Sequence, residues 1–308
     1  MEKDLLIIGG GPGGYEAAIR AAQLGANVVL VEEDKLGGTC LNKGCIPTKA
    51  LYKNAEVINS LKGMDEFGVT LDGYNLDMTK VQSRKNEVVN KLVSGIDQLL
   101  QGNNVEVIKG KAYFKGNKVV EVVTENGKIE LSAKNIIIAT GSLTSSVPVP
   151  GIELPGVITS DEILNLNEIP KSLAILGGGV VGVEFGGIFA SLGTQVTIIE
   201  FLPKILYRLD DELSKKLTVY LKKQGIKIIT GSALKEVHTA DEGLKLIVGN
   251  DKGTQEITCD YLLSAAGRKP NVEGLCLELT DIEYDKKGIK VDSNYKTTVD
   301  GVYAIGDV

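Results

Sequence analysis

Cys40 and Cys45 stand five residues apart, between a glycine pair and a proline, in the run Gly37-Gly38-Thr39-Cys40-Leu41-Asn42-Lys43-Gly44-Cys45-Ile46-Pro47-Thr48-Lys49. Two thiols at such a spacing can exchange disulfides, contribute to a metal site, or lie inert in a core. On a regular helix, residues five apart rise about 7.5 Å and point to different sides. A disulfide usually needs Cα atoms within about 4.4–6.8 Å. A Cys40–Cys45 bridge would therefore require an irregular turn, which Gly44 permits. Thr39 is expected to cap a helix that begins there and to set Cys40 near its positive end, where a thiolate is favoured. Metal sites prefer tighter spacing and more ligands. With four cysteines and one histidine in the chain, no metal is expected. The spacing alone leaves inert burial open.

The elements around the pair read as machinery for nucleotides. Leu5–Ile8 is a buried strand, Gly9-Gly10-Gly11-Pro12-Gly13-Gly14 follows at once, Tyr15 to Leu24 has helical character and Gly25 stops it. Val28–Val31 is a second strand, ended by Glu32. Gly9, Gly11 and Gly14 fit G-x-G-x-x-G, which allows a tight turn, close approach to a pyrophosphate and close helix–strand packing. The helix N-terminus faces the phosphates. Glu32, 18 residues past Gly14, is placed to accept hydrogen bonds from a ribose. The same unit recurs at a constant offset of 168, with Gly177, Gly179 and Gly182 as the turn, Val183–Leu192 as the helix, Gly193 as its stop, Val196–Ile199 as the strand and Glu200 as the acid. Two such units imply two dinucleotides. A carboxylate at Glu200 accepts from a ribose 2′-hydroxyl and repels a 2′-phosphate. No arginine follows in Phe201-Leu202-Pro203-Lys204, so NAD is expected over NADP.

Between the units, Lys49–Lys62 and Met78–Leu100 read as helices. Val105–Lys109, Ala112–Phe114, Val119–Thr124 and Lys128–Leu131 read as a small antiparallel sheet. Ile136–Ser142 reads as a buried strand leading into a glycine turn, and Pro148, Pro150 and Pro155 mark a linker. After Glu200 the pattern is a helix over Asp210–Gln224, a strand over Lys227–Thr230, a hairpin-like region to Asp260, a strand over Tyr261–Ala265 and a turn at Gly267-Arg268-Lys269-Pro270-Asn271. The fold class is therefore α/β, with two Rossmann-like dinucleotide-binding domains, parallel sheets and small antiparallel insertions. The 308 residues fit about two domains. A net charge of −6 argues against nucleic acid or an anionic membrane as partner. The run Leu5-Leu6-Ile7-Ile8 behind Met1-Glu2-Lys3-Asp4 is too short for a signal peptide or a membrane span. The expected setting is the cytoplasm, where a cycling disulfide fits better than a static one.

These marks agree in order and spacing. Gly9 to Gly14 with Glu32, the Cys40/Cys45 string, Ala139-Thr140-Gly141-Ser142, Gly177 to Gly182 with Glu200, Gly267 to Asn271 and Gly301 to Val308 together make the chain resemble the pyridine nucleotide-disulfide oxidoreductases, in their dihydrolipoamide dehydrogenase branch. The resemblance implies FAD on the first glycine unit and NAD on the second. It implies a domain division of 1–146 for FAD, 147–268 for NAD, and 269–308 as a return segment to the first domain. Gly38, Thr39, Thr140, Gly141, Ser142, Gly267 and Asp307 would complete the cofactor sites. Cys40 and Cys45 would form the redox disulfide, Cys40 as the interchange thiol and Cys45 as the charge-transfer thiolate against the flavin. Lys49 and Glu184 would be an ion pair near the flavin ring. The activity implied is oxidation of dihydrolipoamide to lipoamide with NAD. The partners implied are a lipoyl-domain protein of a 2-oxo acid dehydrogenase or glycine cleavage complex, and a second copy in a full-length homodimer.

The family pattern continues past the residues matching Val308, with a helix closing over the flavin and a dimerisation domain carrying a His–Glu pair. The expectation is thus a fragment with little or no lipoamide turnover. The sole histidine, His238, lies in a polar stretch and reads as a solvated surface residue, and Cys259 and Cys276 read as core or incidental thiols. Three rivals stand beside this reading. One is another reductase of the group, of the mercuric or glutathione type. A second is the thioredoxin reductase type, which spaces its cysteines differently. The third is a non-catalytic nucleotide-binding protein.

Overall fold

A computed structural model describes residues 3–251 and 253–308. Met1 and Glu2 of the N-terminal run, and Lys252 within the hairpin-like region, lie outside the described residues. The chain divides into two compact units, one of Met1–Ile46, Glu87–Leu143 and Arg268–Val308, the other of Pro47–Asn86 and Thr144–Gly267.

In the first unit, β1 (Lys3–Ile8) leads to α1 (Pro12–Gln23) and β2 (Val28–Glu32). Helices α2 (Gly38–Lys43), α3 (Cys45–Lys62) and α4 (Met78–Gly102) follow before β3 (Glu106–Lys109), with α3 from Pro47 and α4 up to Asn86 belonging to the second unit. A meander of β4 (Lys111–Gly116), β5 (Val119–Thr124) and β6 (Gly127–Ile138) comes next. Strands β3, β2, β1 and β6 lie parallel in that order, and the late strand Val302–Ala304 also pairs parallel with β6. Strand side chains alternate between faces. Ile7, Val28 and Leu30 accordingly pack with Ala18 of α1 and with Ile96 and Leu100 of α4. Leu6, Ile8, Val29 and Val31 pack on the other face with Phe114, Val120, Val122 and Ile138. A parallel strand buried on both faces needs an unbroken apolar run, which is why Leu5-Leu6-Ile7-Ile8 carries no polar residue.

The second unit repeats the plan. Strands Lys227–Ile229, Gln195–Ile199, Ser172–Leu176, Tyr261–Ser264 and Val157–Ile158 form a parallel sheet in that order. Helix Val180–Leu192 lies against it through Gly182 and Gly186. Helix Asp211–Lys223 is capped by the Asp210 carboxylate, which accepts from Glu212 N at 2.8 Å and Leu213 N at 3.3 Å. Ala233–Thr239, Leu244–Asn250 and Gly253–Cys259 form a separate antiparallel sheet.

Two sequence expectations change. The segment at 105–109 is not part of the antiparallel meander. It pairs parallel with β2, Val29 opposite Glu106, because α4 supplies the long crossover that a parallel neighbour requires. The strands expected at 128–131 and from 136 onward are one strand. No glycine or proline interrupts 128–138, so β6 runs through. Its first half pairs antiparallel with β5 and its second half, from Ala133, pairs parallel with β1.

Candidate dinucleotide and thiol site

Gly9 leaves β1 at φ +107°, a conformation open mainly to glycine, and a Cβ there would stand 2.3 Å from the Ala139 carbonyl oxygen. A Cβ on Gly14 would stand 1.8 Å from the Gly9 carbonyl oxygen, so α1 can lie this close to β1 only with glycine at that position. Gly11 caps α1 without a side chain, Pro12 opens it, and no acidic residue occupies its first turn. The first N–H groups of the helix are thus left for an anion. Gly11 meets Gly38 of α2, where an added Cβ would lie 2.6 Å from Gly11 Cα.

The thiol turn differs from expectation at its start. Thr39 is not a cap: α2 begins one residue earlier, and Gly37, in the left-handed region at φ +96°, is the N-cap with no side-chain bond. A Cβ on Gly37 would be 2.1 Å from Leu41 Cδ2, so the turn closes over the buried Leu41. Cys40 is the third residue of α2. Gly44 separates α2 from α3, and a Cβ there would lie 3.3 Å from Cys40 Cα. Residue 44 therefore folds back on the first turn of α2 and brings Cys45, the first residue of α3, towards Cys40. Cys40 is half-buried and Cys45 exposed, both as thiols. Asn42 holds the turn by donating from Nδ2 to Leu36 O at 3.0 Å and Gly38 O at 3.1 Å. That fixes Oδ1 as the buried amide oxygen, which has no hydrogen-bond partner in the structure.

These pieces converge on a cavity of about 380 Å³ within the first unit, in the range of ligand pockets. Gly9, Gly11, Glu32, Gly38, Thr39, Cys40, Thr140, Gly141, Ser142 and Asp307 all line it. Sequence reasoning missed Asn42, Lys111, Asn271 and Ile305, which line it too. Asn271 secures the wall: Thr140 Oγ1 donates to Asn271 O at 2.8 Å, and Asn271 N donates to Gly141 O at 2.8 Å. Arg268 Nε donates to Ser142 Oγ at 2.8 Å. The turn at Gly267–Asn271 is thus bonded to the turn after β6, although more than a hundred residues separate them. Burial raises the Glu32 carboxyl above its ordinary range, against the lowering effect of the Asp34 and Gly10 amides. The bare glycines, the uncapped helix start and the orphaned Asn42 oxygen suit a group with a diphosphate and hydroxyls, as FAD has.

The chain matches the family model described as pyridine nucleotide-disulphide oxidoreductase over residues 3–308. It belongs to that family. Relatives named dihydrolipoyl dehydrogenase include one from Bacillus subtilis (strain 168), 41% identical over 98% of this chain and 66% of the relative. Another, from Acholeplasma laidlawii, is 44% identical over the whole chain and 90% of the relative. Among solved structures, the Cu(II) complex of the HOCl-induced flavoprotein disulfide reductase RclA from Escherichia coli is 34% identical with a TM-score of 0.88, over all of this chain and 66% of that one. The chain spans about two thirds of the length of most relatives it matches.

In this family member the second glycine unit copies the first. A Cβ on Gly177, at φ +112°, would lie 2.5 Å from Ala265 O, and one on Gly182 would lie 2.0 Å from Gly177 O. Gly179 caps helix Val180–Leu192 without a side-chain bond. Lys49 Nζ and Glu184 Oε1 form an ion pair within the second unit. Gly267 accepts from Ser145 N at 3.0 Å. Cys259 is buried in a core with Leu246 and Val248, and burial pushes its thiol up to about 11. His238 is half-exposed, 2.8 Å from Glu236 Oε2. Among the described residues no helix is long and apolar enough to cross a membrane.

Proposed function

We propose that this chain is the nucleotide- and thiol-bearing part of a dihydrolipoamide-oxidising enzyme, with FAD in the cavity of the first unit and NAD on the second glycine unit. The observation that carries the reading is Cys40 in the wall of the cavity that the glycine turn also lines. Names of relatives at 41–44% identity support the lipoamide substrate.

In this reading Cys40 and Cys45 are oxidised to a disulfide in the resting enzyme. One thiolate of dihydrolipoamide attacks Cys40 sulfur, the Cys40–Cys45 bond breaks, and Cys45 leaves as a thiolate. The second substrate thiol, losing its proton, displaces Cys40, which releases lipoamide and leaves both cysteines reduced. FAD held by Gly9, Gly11 and Gly38 would supply the two-electron redox chemistry that links the reduced thiols to NAD, with the Cys40–Cys45 disulfide re-formed as the dithiol gives up its electron pair. Gly9, Gly11 and Gly38 admit the diphosphate, Asp307 and Thr140 line its path, and Asn42 and Gly44 keep the two thiols in one turn. The natural electron donor is then a lipoyl group on a partner protein, the whole enzyme is a homodimer, and a cycling rather than static disulfide is compatible with a reducing cytoplasm.

The test is a visible spectrum of the purified chain after FAD loading and desalting. Retained flavin absorbance, with a long-wavelength band on partial reduction that Cys45→Ser abolishes, is the expected result. A chain that takes up no FAD, or a band unchanged in Cys45→Ser, would refute the reading. The likeness to a flavoprotein disulfide reductase at TM-score 0.88 supports a second reading, a different disulfide substrate for the same thiols. Comparing Cys40 oxidation by lipoamide and by other disulfides separates the two.

A further inference from the structure

Each glycine unit contains a contact that the G-x-G-x-x-G pattern does not describe. Glu32 Oε2 accepts from Gly10 N at 2.6 Å, and its Oε1 accepts from Asp34 N at 2.8 Å. Glu200 does the same, Oε2 from Gly178 N at 2.6 Å and Oε1 from Leu202 N at 2.7 Å. All three positions keep the offset of 168. The contact also explains the middle residue of each turn. A Cβ on Gly10 would press to 3.1 Å of Glu32 Oε2 and 2.9 Å of Leu36 Cδ2. On Gly178 it would press to 3.1 Å of Glu200 Oε2 and 2.8 Å of Ile205 Cγ2.

We propose that Glu32 and Glu200 are positioning residues as well as ribose acceptors: each carboxylate ties its glycine turn to the chain leaving the second strand, and so shapes the dinucleotide site before any nucleotide enters. A carboxylate has about four acceptor sites, and these bonds use one on each oxygen. The acceptor sites not used by these bonds remain for a ribose diol. Charge-assisted bonds to backbone N–H groups are the stronger kind. A glutamine can keep only one of them, because its second terminal atom is a donor and would face an N–H. The inference rests on the two-dinucleotide reading of the proposed function.

The test uses the full chain, Glu200→Gln, and two probes: ADP-ribose and its adenosine 2′,3′-dideoxy analogue, titrated by calorimetry. Loss of the tie predicts that Glu200→Gln weakens both probes, each by roughly tenfold or more. A loss confined to ADP-ribose and absent with the 2′,3′-dideoxy analogue would overturn the proposal, since the acid would then act through the ribose alone. Glu32→Gln, which alters the other unit, is expected to leave ADP-ribose affinity on the second unit unchanged, and FAD retained by Glu200→Gln reports that its first unit is folded. Backbone amide exchange on the ligand-free chain gives an independent readout. In Glu200→Gln at least one of the Gly178 and Leu202 amides should exchange faster while Gly10 and Asp34 keep their wild-type rates, and wild-type rates at both Gly178 and Leu202 would overturn the proposal. If the wild-type chain binds neither probe, the two-dinucleotide reading fails, and amide exchange still decides whether the tie exists.

Discussion

Replacing Gly14 by alanine adds one methyl group where the structure has no room. The new Cβ would stand 1.8 Å from the Gly9 carbonyl oxygen, and ordinary contact begins near 3.4 Å. The start of α1 must therefore retreat from β1 by about 1.6 Å, or the Gly9 turn must give way by as much. The obstacle is backbone, so no rotamer change relieves it. Overpacking a core by a methylene typically costs about 1–3 kcal/mol, and a backbone clash belongs at or above the top of that range. A site built on the approach of Gly9, Gly11 and Gly38 loses its shape with the same movement. The expected outcome is a urea midpoint lowered by about 3 kcal/mol of stability and loss of FAD retention after desalting, with ADP-ribose affinity kept. Gly182→Ala meets the Gly177 carbonyl at 2.0 Å and should show the reverse, weak ADP-ribose and retained FAD. A Gly14→Ala chain with wild-type midpoint and wild-type FAD affinity would refute the packing argument.

In a native thiol titration Cys45, exposed, should react first, and Cys259, buried with its thiol pushed up to about 11, only on unfolding; labelling followed by peptide mapping reads the order. Burial raises the Glu32 carboxyl, so its proton is bound more tightly folded than unfolded. From this group alone, stability is full below the ordinary glutamate range and is lost as pH rises through the raised value. FAD affinity should run the opposite way, falling as pH drops through that value because the protonated acid loses an acceptor. Glu32→Gln should flatten both slopes, measured by urea titration and flavin fluorescence. Lys49 is mostly exposed, so its pairing with Glu184 should contribute no more than about 1 kcal/mol to stability. Lys49→Ala is therefore expected to leave the urea midpoint nearly unmoved, and any large drop in turnover would report a role in the reaction.

The legible parts of the chain were those fixed by local chemistry. Gly9, Gly14, Gly177 and Gly182 carry steric demands between near neighbours, so their turns could be read from spacing, and the helix expected over Asp210–Gln224 is present with Asp210 as its cap. The cavity wall was legible only in pieces. Thr140 and Asn271 each stood in a recognisable turn, yet nothing local says that Thr140 Oγ1 donates to Asn271 O across the sheet. Thr39 misled because threonine is a good cap in general, while here Gly37 turns the chain two residues sooner over Leu41. The 105–109 segment misled because a short polar-flanked strand has no signal for its partner's direction; the length of the preceding helix decides that. Gly10 and Gly178 stood at the variable position of the pattern, and their reason lies in a carboxylate 22 residues further along.

The two glycine units show where chemistry enters a duplicated scaffold. From the first strand to the acid they are superposable in sequence spacing, turn geometry and carboxylate bonding. They part company after the acid. In the second unit a single helix, Asp211–Lys223, returns the chain to the next parallel strand, Lys227–Ile229. After the first acid three α-helices stand between β2 and β3, and the first two carry Cys40 and Cys45. A dinucleotide fold tolerates a long insertion there because the crossover needs only to end at the next strand position, whatever its path. The insertion leaves the same strand end that Glu32 marks, so its first helix must begin beside the glycine turn, and Gly38 against Gly11 is the contact that results. Placing a thiol three residues into that helix puts it in the nucleotide cavity with no further element required. On this argument, moving Cys40 elsewhere in α2, as in Cys40→Ser with Lys43→Cys, should keep FAD binding and lose thiol exchange with lipoamide. Exchange that survives the move would mean that the thiol's place in the turn is not what the fold is arranged to set.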